Sequence, residues 1–170
     1  DGKIWLEYTN GIVMQINGFV FFRSMDNAGN YSEITRYEVS NIDRIAPEKP
    51  IVTVNTTEPT NRNVIVSAVF APDSVQNEYK LDNGEWTKYT TAIELFKNGT
   101  VYFRCKDAAG NYTETNYAVT NIDRIAPEKP TVSANITVPT NQDVIITAFF
   151  SQDSQIKEYS LDGTFWIPYT

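Results

Sequence analysis

The chain has 170 residues, 41% of them hydrophobic and 13% aromatic, a formal net charge of −7 and no histidine. That composition supports one or two globular domains, and the negative charge speaks against nucleic acid, whose phosphates require clustered Lys and Arg. The missing histidine removes the Ser-His-Asp arrangement, the commonest general base and most zinc sites; the single cysteine, Cys105, leaves no disulfide within the chain; and no run of about 18 apolar residues exists to span a membrane.

Residues 1–43 read as the later strands of a β unit. WLEYT (Trp5–Thr9) matches WTKYT (Trp86–Thr90), and NGFVFFRSMDNAGNYSE (Asn17–Glu33) matches NGTVYFRCKDAAGNYTE (Asn98–Glu114). One residue is inserted near Ile34, and both copies then run into the same ten residues, NIDRIAPEKP, at Asn41–Pro50 and at Asn121–Pro130. Residues 51–90 align with 131–170 without a gap, with 19 of 40 positions identical. The period is therefore about eighty residues, the signature of a repeat array. The chain divides into the back part of one repeat (1–43), a complete repeat (44–123) and the front part of a third (124–170). A first residue that falls inside a repeat leads us to expect a section of a longer protein.

The complete repeat reads as seven short strands. Residues 51–55 (IVTVN) alternate, and 63–71 (NVIVSAVFA) alternate with Val64, Val66, Ala68 and Phe70 on one face. EYKL (78–81) leads through Asp82-Asn83-Gly84, a strong hairpin signal, to Trp86 and Tyr89. AIEL (92–95) follows, and Asn98-Gly99 turns into TVYFRCK (100–106), where Val101, Phe103 and Cys105 share a face. Asp107–Asn111 is a tight loop with Gly110 suited to positive φ, and ETNYAVTNI (114–122) is the last strand. Short strands with turn residues at each break and no helical period predict an all-β fold of tandem, antiparallel, immunoglobulin-like β-sandwiches. Trp86, Tyr79 and Phe103 are the expected centre of the core. The equivalent tryptophans Trp5, Trp86 and Trp166 are expected in the core rather than in a sugar-binding row.

Between repeats, Ala46-Pro47-Glu48-Lys49-Pro50 should be a stiff spacer, because each proline fixes its own φ and biases the preceding residue to extended backbone. The D-x-AGN loop, the NID-x-x-AP-x-x-P junction and the YSLDG-x-x-W hairpin together resemble the tandem bacterial immunoglobulin-like repeats of large cell-surface proteins and adhesins. The resemblance covers essentially the whole chain. It implies an extracellular, cell-surface setting and junction carboxylates that bind calcium and stiffen the array. Transferred here, it nominates Asp43, Asp73 and Asp107, with Asn111, as oxygen ligands of calcium. The alternative is that Asp107 caps its own loop and Asp43 bonds a nearby amide, as Asp does in turns. At the second junction, Asp123 and Asp153 would form only part of such a site.

Chemistry is not expected. Cys105 has no histidine to activate it and reads as a small buried strand residue. Glu78 and Asp82, which recur as Glu158 and Asp162, lie in or beside a hairpin that repeats with the unit. Lys80 and Lys97 are not shared between copies, which argues against an isopeptide bond. Asn-x-Ser/Thr occurs at Asn30, Asn55, Asn98, Asn111 and Asn135, a motif that arises easily in so Asn- and Thr-rich a chain. The expected function is a structural spacer or fibre element with no enzymatic role, its partners being adjacent repeats. The two partial repeats would complete one another head to tail between molecules. The alternative is an adhesive module that grips glycan or host protein.

Overall fold

The computed structural model describes residues 4–170. Among these there is no helix, and thirteen strands follow one another. They are β1 (Gly18–Phe22), β2 (Thr35–Val39), β3 (Ile51–Val54), β4 (Val64–Val69), β5 (Gln76–Leu81), β6 (Thr87–Lys88), β7 (Ile93–Leu95), β8 (Gly99–Lys106), β9 (Tyr112–Val119), β10 (Thr131–Ala134), β11 (Ile146–Phe149), β12 (Glu158–Tyr159) and β13 (Ile167–Pro168). The chain forms two compact bodies, Asp1–Ile122 and Asp123–Thr170.

In the first body, β1 and β2 pair as an antiparallel ribbon. The complete repeat supplies the seven strands β3 to β9, arranged as a three-stranded sheet β3-β4-β7 and a four-stranded sheet β6-β5-β8-β9, antiparallel throughout. Alternation decides which side chains go inward. Val64 and Val66 from β4, Leu95 from β7, Val101 and Phe103 from β8, and Val119 from β9 form one buried cluster with Ile122. The two sheets thus bury a shared apolar layer, a sandwich-like arrangement. Phe103 is fully buried and meets Tyr89 and Phe70 edge-on, at ring-centroid distances of 5.6 and 6.3 Å.

Tyr89 takes the place expected of Trp86. Its ring also lies 5.2 Å from Phe70 and 6.3 Å from Tyr79, and its hydroxyl accepts a hydrogen bond from the Ala68 N–H at 3.0 Å. Trp86 lies instead on the outer face of the four-stranded sheet, half-buried, with the Arg104 guanidinium 4.2 Å and the Lys80 ammonium 5.0 Å from its ring centre. Strand parity explains the exchange. Thr87 opposes the core-facing Tyr79, so Trp86 falls on the face that also carries Arg104 and Lys80. Trp166 is likewise outside the core, 56% exposed.

In the second body, β10 pairs with β11 and β12 with β13. Its apolar faces are open: Val144 and Ile146, which align in sequence with the fully buried Val64 and Val66, are 47% and 60% exposed.

Removing the ring at the centre of the cluster leaves a cavity that two sheets of fixed register cannot close. Phe103→Ala should therefore destabilise the complete repeat by about 3–5 kcal/mol. The measurement is the urea midpoint followed by tryptophan fluorescence, with Tyr102→Ala, on the outer face of the same strand, costing much less.

Candidate functional site: the grip on the joint

The ten-residue junction begins with a local turn that is the same in both copies. The Ile45 N–H donates to Asp43 Oδ1 at 3.0 Å, and the Ile125 N–H donates to Asp123 Oδ1 at 2.9 Å. Beyond that turn the copies part. Pro47 and Pro50 are buried, whereas Pro127 and Pro130 are exposed.

The first junction is bonded by β8 and the loop that follows it. Within Asp107–Asn111 the carboxylate of Asp107, 6% exposed, caps its own loop: Oδ1 accepts from the Gly110 and Asn111 N–H groups at 2.7 and 2.8 Å. Gly110 sits at φ +96°, a conformation that a side chain disfavours. Oδ2 accepts from the Asn111 side-chain amide at 2.9 Å. The same amide donates to the carbonyls of Asp43 and Ile45 at 3.2 and 3.3 Å. Asn111 therefore joins the loop of the repeat to the chain entering it. One strand residue away, the Cys105 thiol, fully buried, points at the Glu48 carbonyl at 3.6 Å. Burial first, and the nearby Asp73 charge to a lesser degree, push that thiol's pKa up and keep it protonated as a donor.

Of the four candidate calcium ligands, Asp107, Asn111 and the backbone of Asp43 come together, while Asp73 lies exposed in the Ala71–Ser74 turn. Both Asp107 oxygens accept protein N–H groups, the Asp43 carboxylate accepts its own loop amide, and Asn111 turns N–H rather than oxygen toward the junction carbonyls. Among the described residues, no three Asp, Glu or Cys side chains converge as a metal-binding group. The arrangement is a loop closed by an amide.

Three asparagines, for which the sequence suggested no such bonds, hold the first residues of the two junctions. Asn98 holds Ile122 by both ends, its amide donating to the Ile122 carbonyl at 3.0 Å and its oxygen accepting the Ile122 N–H at 2.9 Å. Asn17 repeats this on Ile42 at 2.9 and 2.8 Å. Asn121 donates to the carbonyls of Glu58 and Thr56 at 2.8 and 3.3 Å. Their signal was in the chain: Asn-Gly before the strand and Asn-Ile at its far end recur together in both copies.

Two outcomes are expected. Trypsin should cut after Arg124 well before Arg44, although ten identical residues surround both, and Asn111→Ala should speed cleavage at Arg44 while leaving Arg124 unchanged; timed digestion read by mass spectrometry checks this. The Asn111 amide, more than the loop N–H groups, holds the Asp107 pKa below its ordinary value of about 3.9. A depressed carboxylate pKa contributes stability above the ordinary value and loses it as pH falls through the lowered one. Asp107→Asn should thus lower the urea midpoint at pH 7, with the gap to the parent protein narrowing below pH 4.

No family model, curated protein or solved structure matches the chain. Its functional reading therefore rests on its own residues.

Proposed function

We propose that the chain is a structural spacer: a run of tandem immunoglobulin-like beads, each gripping the joint that enters it, within a bacterial extracellular surface protein. One observation carries the reading. The proline-bearing junction before the complete repeat is anchored to that repeat, with Pro47 and Pro50 buried and the Asp43 and Ile45 carbonyls held by Asn111. A tether meant to swing would leave those groups to water. The strand order β3-β4-β7 facing β6-β5-β8-β9 supports the immunoglobulin-like assignment. The recurrence of the loop cap in the first repeat, where Asp26 accepts from Ala28, Asn30 and the Asn30 amide at 2.9 Å each, supports a device used bead after bead. Reach grows with the number of such units, whereas a binder needs few. The extracellular bacterial setting follows from the resemblance of the junction and the D-x-AGN loop.

Adhesion is the competing role. The Trp86 ring already carries two cations, and Arg23 lies 3.9 Å over Trp5, so these ring faces do not offer a sugar an open stacking surface.

Stretching the chain between handle domains tests the spacer. The complete repeat should rupture in one cooperative step and release roughly 0.35 nm per residue, and Asn111→Ala should let the joint extend at lower force. Featureless extension, or glycan-array binding that Trp86→Ala abolishes, would overturn the reading.

A further inference from the structure

The two ends of the complete repeat are fastened unequally. At the exit, Asn121 and Ile122 are tied to two other segments by hydrogen bonds of 2.8 to 3.3 Å. The Asn121 amide donates to the carbonyls of Thr56 and Glu58, the Asn121 carbonyl accepts the Thr60 N–H, and Asn98 binds both backbone groups of Ile122. Thr60 and Ile122 also form a parallel bridge, and the Ile122 side chain belongs to the buried core cluster.

At the entrance the ties are fewer and weaker. One amide, that of Asn111, is divided among the Asp107 carboxylate at 2.9 Å and the Asp43 and Ile45 carbonyls at 3.2 and 3.3 Å. An amide has two N–H groups, so these three acceptors share two donors. The Cys105 thiol, a weak donor, reaches the Glu48 carbonyl at 3.6 Å. Pro47 and Pro50 are buried but have no N–H to give. Residues 43–50 lie between β2 and β3 and belong to neither, so no strand ladder reinforces them.

The same corner holds an uncompensated polar group. Asn77 stands opposite Cys105 across β5 and β8, and its side-chain oxygen is buried with no hydrogen-bond partner. A buried acceptor without a donor costs free energy that water would return.

We propose that the junction is a latch: residues 43–50 lift off the entrance of the repeat as a unit while the exit stays locked and both sheets stay closed. Opening parts the Glu48 carbonyl from Cys105 and the Asp43 and Ile45 carbonyls from Asn111, all groups that water satisfies, and it brings water to the Asn77 oxygen. Releasing the exit instead withdraws Ile122 from the core and frees the end of β9, which unfolds the repeat. Local opening of a segment with few contacts to lose lies well below the global unfolding free energy. In a tandem array, a setting that rests on the spacer reading, each joint yields slack before its bead ruptures.

Cys105 is the probe, because its thiol is fully buried while the latch is shut and the chain has no other cysteine. Labelling with excess maleimide at fixed pH, in urea too dilute to unfold the repeat, should run faster than global unfolding allows and depend only weakly on urea. Asn111→Ala should raise the labelling rate about tenfold. Pro47→Gly, which loosens the junction and leaves the Asp107 loop intact, should raise it as well. Asn98→Ala should lower the urea midpoint and leave labelling in water unchanged, since it loosens only the exit. Labelling that tracks global unfolding at every urea concentration, or that Asn98→Ala speeds as much as Asn111→Ala does, overturns the latch. Neither result bears on the spacer reading: cooperative rupture without prior slack keeps the spacer and loses the latch, whereas featureless extension loses the spacer.

Discussion

Strand β8 is the surface against which both the core and the joint close. Its inward side chains, Val101, Phe103 and Cys105, are each fully buried. Phe103 faces Tyr89 and the opposite sheet, and Cys105 reaches the junction at Glu48. The chain contains its own control for this dependence. Where β8 is present, Val64, Val66, Pro47 and Pro50 are buried; in the second body, which has no such strand, Val144, Ile146, Pro127 and Pro130 are exposed. Apolar burial at roughly 1.5–3 kcal/mol per large side chain is the main stabilising term available to a repeat with no disulfide.

Asparagine supplies the connections that a disulfide or metal would supply in other small β domains. Asn98, Asn111 and Asn121 each tie segments distant in sequence through carbonyl and N–H groups that the sheets leave unpaired. Each such bond contributes about 1 kcal/mol net, and leaving a buried partner unmade costs more than that. The amide suits the task because it donates and accepts at once. Asn111 uses its donors both to pin a carboxylate and to hold the incoming backbone. The entering backbone is thereby bonded to the loop of the domain it enters.

The outer face of the four-stranded sheet shows the limit of pattern reading. The alternating runs, the inward set Val64, Val66, Ala68 and Phe70, the inward set Val101, Phe103 and Cys105, and the seven strands were all legible, because a period of two is written directly into the residues. Self-capping by Asp107 was legible as one of two readings, because Asp followed by Gly at the fourth position is local turn chemistry. Trp86 was not. Size and recurrence argued for the core, but the parity of a two-residue strand, set by its pairing with Tyr79, placed the ring outside among cations. Tyr89, three positions on, took the interior.

The ten residues NIDRIAPEKP mark the division between the two kinds of information. By themselves they determined the Asp-to-amide turn, which is the same at Asp43 and at Asp123, because that bond spans two positions and needs nothing beyond the segment. Whether the prolines are buried was decided only by tertiary structure. Burial needs the thiol, the loop amide and the apolar face that β8 brings from about sixty residues further along the chain, and no local sequence can specify a partner at that distance.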